Sequence, residues 1–163
     1  MRSFLFCCLM TLILLPLQAQ KSYGDLYHPE ADALAEIDGV IQKAAAENKH
    51  VLLQVGGNWC VWCYRLHDFI EKDQEIKDFI EANFVAYRVN YSRENMNLPV
   101  LEKYGYPQRF GFPVLIVLNA KGERLHTQDT GLLESGDGYD QRKVLQFFQQ
   151  WSPAALDPSN YVK

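Results

Sequence analysis

Two cysteines, Cys60 and Cys63, stand two residues apart in a chain of 163 residues. Disulfide exchange needs one thiolate that attacks and a second thiol close enough to resolve the mixed disulfide. A C-x-x-C pair at a helix N-terminus supplies both. The sulfur in the first turn faces unpaired backbone N–H groups and the positive end of the helix dipole, which favour its thiolate. The sulfur one turn further in is the more buried. Cys60 is therefore read as the nucleophile and Cys63 as the resolving thiol. The same spacing is half of a zinc site. With His67, four residues after Cys63 on the same helical face, it could hold Cu(I) or Zn in a metallochaperone-like module. No metal site is expected, because His28, His50 and His126 are scattered and His67 reads as a polar helix residue. Covalent haem needs His directly after the second cysteine, and Tyr64 stands there. A third reading makes the pair an inert disulfide in a non-catalytic peptide-binding module.

The elements that must position the pair follow from hydrophobic spacing. His50 to Val55 is a short β-branched and leucine-rich run that stops at Gly56-Gly57, the pattern of a buried strand. From Trp59 the pattern is helical, with Trp62, Leu66, Phe69 and Ile70 on one side and Arg65, Asp68 and Glu71 on the other. Asp68, Glu71 and Asp73 read as a solvated face. The dithiol thus sits where a strand ends and a helix begins. Upstream, apolar residues at three-and-four spacing predict a helix over 29–48. Downstream, the spacing predicts a helix over 74–83, a strand over 84–91 and a long connection from Ser92 to Phe112 with a helical stretch at 98–104. A strand over 113–119, a turn, its antiparallel partner over 123–130 and a helix over 140–151 complete the order. Alternation followed by a hairpin implies an α/β chain with a mixed central sheet flanked by helices on both faces. The tail from Ser152 is expected to be loose.

Composition bounds the class. With 48% hydrophobic and 22% charged residues the chain matches an ordinary globular domain. Its net charge of −4, with both signs interspersed, leaves no footprint for nucleic acid. Met1 to Gln20 begins with Arg2, runs apolar from Phe4 to Leu17 and ends Gln18-Ala19-Gln20, the layout of a signal peptide cleaved near Ala19 or Gln20. A retained lipid anchor at Cys7 or Cys8 is disfavoured, since both lie inside the apolar run. Residues 21–163 would then form one domain, with a core over about 50–151. Removing the leader takes Cys7 and Cys8 with it and leaves 15 basic and 20 acidic residues, a balance of −5. The remaining cysteine pair is expected in a periplasmic or secreted setting, where disulfides persist.

The run Val51-Leu52-Leu53-Gln54-Val55-Gly56-Gly57-Asn58-Trp59-Cys60-Val61-Trp62-Cys63, with Gly111-Phe112-Pro113-Val114-Leu115-Ile116-Val117 about fifty residues on, resembles the thioredoxin family, and within it exported bacterial thiol:disulfide interchange proteins. The resemblance spans roughly His50 to Trp151 and implies a thioredoxin-like fold. It implies a thiol–disulfide oxidoreductase whose redox-active group is the Cys60–Cys63 disulfide, with no bound cofactor. Trp59 matches the tryptophan that shields one side of the disulfide, and Pro113 the proline whose preceding bond is cis. Phe112 would offer backbone polar groups to a substrate strand, and Gly131 would let a substrate backbone approach. Trp62, between the cysteines, is expected to be exposed; Trp59, Trp62, Tyr106, Phe110 and Phe112 would form an apolar docking patch if they cluster around Cys60 and belong to the core if they do not. The implied partners are protein substrates with thiols or disulfides and a membrane or soluble redox protein that recycles the dithiol; a monomer is expected. Two departures stand out. Gln54 occupies the position of the family's buried acid, and an amide cannot take the proton of Cys63. Arg88, which matches the basic residue near that acid, is expected to snorkel to solvent. The residues between the cysteines, Val61-Trp62, leave the direction of electron flow open.

Overall fold

The structure is a computed structural model that describes residues 25–162; the expected signal peptide, residues 1–20, lies outside them. The first helix starts later than its apolar spacing predicts. Asp32 caps it, accepting a hydrogen bond from the Ala35 backbone N–H at 3.2 Å, so α1 runs Ala33–Glu47 and Pro29 stays in the preceding turn. Asn48 ends it in the left-handed conformation, φ 54°.

The chain continues through β1 (His50–Gly56), α2 (Val61–Lys72), α3 (Gln74–Asn83), β2 (Phe84–Asn90) and α4 (Leu98–Lys103). It ends with β3 (Val114–Leu118), β4 (Arg124–Asp129), a small hairpin of β5 (Glu134–Ser135) and β6 (Gly138–Tyr139), and α5 (Gln141–Gln150). Asp73 closes α2 and opens α3, its carboxylate accepting from the Ile76 N–H at 3.1 Å.

The four-stranded sheet has the order β2-β1-β3-β4. β1 and β2 are parallel, and β3 runs antiparallel to both β1 and β4. The mixed sheet and its two helical layers are those the sequence implies, and the reason is visible along β1. Val51, Leu53 and Val55 point to the layer of α1 and α4, joining Ile37, Ala44, Val100 and Leu101. Leu52 points the other way, to the layer of α2, α3 and α5, with Leu66, Ile76, Val144 and Phe148. Alternation by two thus feeds two cores from one strand. Each fully buried large apolar side chain contributes about 1.5–3 kcal/mol, and a dozen side chains head the fully buried set.

One expectation changes, and one hairpin lies outside the expected elements. The tail is folded: Ser152 is buried and its hydroxyl donates to the Gln149 carbonyl at 3.0 Å, and Tyr161 donates to the Ala155 carbonyl at 2.7 Å. The β5–β6 hairpin was invisible to alternation because each strand is two residues long.

Candidate active site

β1 delivers the chain to Gly56, and a tight turn carries it into α2. The Gly57 carbonyl accepts the Cys60 N–H at 2.9 Å. Cys60 is itself the extended N-cap of α2, which therefore begins at Val61 and not at Trp59. Its Sγ accepts the backbone N–H of Cys63 at 3.2 Å. That bond and the helix dipole both act on Cys60 Sγ, the atom where negative charge would develop. Cys60 and Cys63 are joined as a disulfide with Cα atoms 5.3 Å apart. Cys60 is 4% exposed and Cys63 0%, so what access exists is to the first sulfur. Closing a loop of four residues stabilises a fold by about 2 kcal/mol, little beside the two cores. The bond can open without the fold being lost.

Gly57 is glycine for a steric reason. A Cβ there would lie 2.5 Å from the Trp59 indole Nε1 and 2.6 Å from the Tyr91 carbonyl oxygen. That space lets the indole N–H donate to the Tyr91 carbonyl at 2.7 Å. Trp59 packs edge-on to Phe112, with ring centroids 5.3 Å apart, and Phe112 stacks on Tyr91 at 4.9 Å. Trp59 remains 55% exposed. Trp62, the residue expected to be exposed, is half-buried instead. Its ring meets Tyr139 edge-on at 5.7 Å, and the Arg65 guanidinium lies 4.5 Å from its centroid. Helical geometry explains the reversal, since position 62 faces the β6 hairpin that local periodicity did not reveal.

The Phe112-Pro113 peptide bond is cis. Pro113 immediately precedes β3, whose Val114 pairs with Val55, so it lies at the sheet end where β1 delivers the cysteines. Phe112 and Trp62 pack against the cluster of Cys60, Cys63 and Tyr27. The buried Thr130 hydroxyl donates to the Pro113 carbonyl at 2.5 Å, which places exposed Gly131 one residue from that loop. Cys60, Cys63, Trp59, Trp62, Phe112 and Pro113 thus converge, with Gly131 at the margin.

Sequence spacing missed a segment from outside this convergence. Asn58 Oδ1 accepts the Tyr27 backbone N–H at 3.0 Å, and its Nδ2 donates to the Tyr27 carbonyl at 2.9 Å. Tyr64 donates to the same Oδ1 at 3.1 Å. Tyr27 is thereby held with its side chain fully buried against the disulfide. The Gln54 amide donates to its hydroxyl at 2.8 Å. Burial pushes the Tyr27 phenol far above its ordinary value, so it stays protonated. The only hint in the sequence was Leu26-Tyr27, two large apolar residues in an otherwise polar stretch.

Arg88 does not snorkel. Its Nη2 donates to His67 Nδ1 at 3.2 Å, and its Nε is buried without a hydrogen-bond partner among the described residues. Burial, then the Arg88 charge, holds His67 below the usual imidazole value. A ring nitrogen facing a guanidinium is poorly placed to hold a cation, and no group of three or more His, Cys, Asp or Glu among the described residues comes together as a metal site. The metallochaperone reading is not favoured.

Residues 37–147 match a family model described as a thioredoxin-like domain. The disulfide bond reductase DsbH of Chlamydia pneumoniae is 23% identical over 137 residues, which cover 76% of this chain and 81% of that protein. Among solved structures, a disulphide isomerase from Xylella fastidiosa Temecula1 superposes with a TM-score of 0.69 at 24% identity, covering 78% of this chain and 96% of the other. The oxidised C-terminal domain of DsbD from Neisseria meningitidis gives 0.53 at 20% identity, covering 74% and 97%.

Proposed function

This chain belongs to the thioredoxin-like family and is a thiol–disulfide oxidoreductase, and we propose that it works as a reductase of disulfides in exported proteins. The single observation that carries the chemistry is the Cys60–Cys63 disulfide at the N-terminus of α2, with Cys60 Sγ accepting a backbone N–H. The reduced pair would act in two steps. The Cys60 thiolate attacks a client disulfide, forming a Cys60–client bond and releasing one client thiolate. Cys63 then attacks Cys60 Sγ, the internal disulfide closes, and the second client sulfur leaves as a thiolate that takes a proton from water. The client is reduced by two electrons and the pair is oxidised by two. No bound cofactor enters either step.

Reduction is favoured over oxidation by what surrounds the sulfur. Neither Val61 nor Trp62 is a cation, and among the described residues the hydrogen bond to Cys60 Sγ comes from the Cys63 backbone N–H at the helix terminus. A strong oxidant needs a more heavily stabilised reduced form. The DsbH relative, a disulfide bond reductase, supports the same direction. The apolar run at 4–17 supports export, and the ridge of Trp59, Tyr91 and Phe112 supports docking of extended client chain. A second redox protein must return electrons to the pair.

Equilibrating the purified protein in glutathione buffers and counting alkylated thiols by mass spectrometry tests this reading. A potential near about −270 mV is expected, one near about −120 mV would refute the reductive direction, and failure to exchange at any poise would refute the activity.

A further inference from the structure

Cys63 must carry negative charge twice in each cycle, yet it is fully buried, and the residue of β1 that stands against its Sγ is Gly56, which brings no side chain. A buried thiolate needs a hydrogen-bond donor or a cation. Among the described residues, the phenol that shares a buried cluster with the two cysteines is Tyr27. A Cβ placed on Gly56 would stand 2.4 Å from Cys63 Sγ and 2.6 Å from the Tyr27 hydroxyl oxygen, so those two atoms are no more than 5.0 Å apart across the space that glycine leaves open. Tyr27, Cys60 and Cys63 form one buried cluster. Gln54 Nε2 donates to the Tyr27 hydroxyl at 2.8 Å; this occupies a lone pair and leaves the phenolic proton to be given elsewhere. No acceptor is hydrogen-bonded to that proton among the described residues.

We propose that the Tyr27 hydroxyl stabilises the Cys63 thiolate during exchange, with Gln54 orienting it as donor. The inference rests on the oxidoreductase reading above. When an incoming thiolate bonds to Cys60 Sγ, the Cys60–Cys63 bond breaks and its electron pair passes to Cys63 Sγ. The incoming thiol is oxidised into a mixed disulfide, and Cys63 becomes a thiolate that accepts the Tyr27 hydrogen bond. In the resolving step the same bond holds Cys63 in its attacking form until the pair closes. The phenol keeps its proton throughout, in accord with the burial that disfavours phenolate. The titratable and charged groups acting on the phenol are Arg88 on β2, Tyr64 on α2 and Tyr139 on β6; of these Arg88 alone is charged at neutral pH, and its sign also favours the thiolate. Tyr27 precedes the family-matched residues 37–147, so this donor is supplied by the chain's own N-terminal segment.

Two measurements test the assignment. In a Cys7→Ser, Cys8→Ser, Cys60→Ser background, ultraviolet thiolate absorbance against pH, taken as the difference from the same protein with Cys63→Ser, reads Cys63. Adding Tyr27→Phe, which keeps the ring, should raise the Cys63 pKa by about one unit, since a hydrogen bond to a charged group is worth at least that much. Tyr104→Phe, at a buried phenol with no hydrogen-bond partner among the described residues, should leave it in place. With Cys60 present, Tyr27→Phe should slow resolution of a mixed disulfide about tenfold at neutral pH, with the deficit closing as pH rises above the Cys63 pKa. An unchanged titration and an unchanged pH–rate profile in a folded Tyr27→Phe protein would overturn the proposal. Should that variant fail to fold, Gln54→Leu keeps Tyr27 and removes its orienting donor, and should shift Cys63 the same way by less; no shift there overturns it equally. A wild-type protein that exchanges no disulfide would refute the activity instead, while the Cys63 titration still reports on Tyr27.

Discussion

Gly56→Ala puts the narrowest point of the site under strain. Gly56 ends β1 outside the left-handed region, so alanine costs nothing in backbone conformation and the whole effect is contact. The new methyl would meet Cys63 Sγ at 2.4 Å and the Tyr27 hydroxyl at 2.6 Å, with the Tyr27 Cζ at 3.0 Å. None of these is the free end of a flexible side chain, because Cys63 is tied into the disulfide and Tyr27 is pinned by Asn58 and Gln54. Overpacking of this kind costs about 1–3 kcal/mol. Displacing the phenol also breaks the Gln54 hydrogen bond, worth about 1 kcal/mol. With a urea slope of about 2 kcal/mol/M, the unfolding midpoint of the oxidised protein should fall by about 1–2 M, read by tryptophan fluorescence. Reduction frees Cys63 Sγ to rotate, so the loss should be smaller in the dithiol form. Gly39→Ala is the control: nothing lies within 4 Å of a Cβ there, and at a helix interior the change should stabilise by about 0.5–1 kcal/mol. Equal midpoints for Gly56→Ala and wild type in the oxidised state would refute the crowded geometry at Cys63.

Asn58→Ala strands the N–H and C=O of Tyr27, and at about 1–3 kcal/mol for each buried unpaired group it should destabilise by roughly 2–6 kcal/mol; an unaltered hydrogen-exchange rate at the Tyr27 amide would contradict this. Trp59→Ala should change stability by less than about 1 kcal/mol, as expected for so exposed a side chain, while slowing exchange with a protein disulfide and sparing exchange with glutathione; equal slowing of both would remove Trp59 from client docking. His67 is held below its ordinary value by burial and then by Arg88, so the unfolded chain binds a proton near pH 6.5 that the folded chain takes up only at lower pH. Stability should therefore fall as pH drops through about 6.5, and His67→Gln should remove that part of the slope between about pH 7.5 and 5.5; identical slopes in the two proteins would count against it.

The sheet was legible because β1 and β3 are continuous apolar runs whose fate depends little on distant residues, and because α1, α3 and α5 carry three-and-four spacing. The position of the dithiol at a strand-to-helix junction followed from the same local signals. What escaped the reading is long-range. Trp62 turned inward because Tyr139, 77 residues away, covers it. Arg88 stayed half-buried because His67 on α2 offers its guanidinium an acceptor. Tyr27 reaches the cysteines through Asn58, 31 residues on, and no periodicity links two residues in a turn and a loop.

Docking of that N-terminal segment is close to balance, and the site depends on it. Fixing backbone costs about 1–2 kcal/mol per residue, so ordering the segment from Leu26 to Asp32 opposes docking by roughly 10 kcal/mol. Against this stand burial of the Tyr27 ring at about 1.5–3 kcal/mol, the Asn58 and Gln54 bonds at about 1 kcal/mol each, and the packing of Leu26 beside it. Further support comes from Asn95, whose side-chain amide donates to the Pro29 carbonyl at 2.9 Å. These gains are of the same order as the cost, and no single one exceeds it. Removing Asn58 therefore threatens the whole strap, whereas removing a phenolic oxygen does not. Loss of the strap would open Cys63 to water on the Gly56 side and strip the Gln54 amide of its acceptor, while β1, α2 and the disulfide stayed in place. Fold and resolving-cysteine chemistry are thus distinct: the two cores hold the sheet and its helices, while Tyr27 on its strap would tune Cys63.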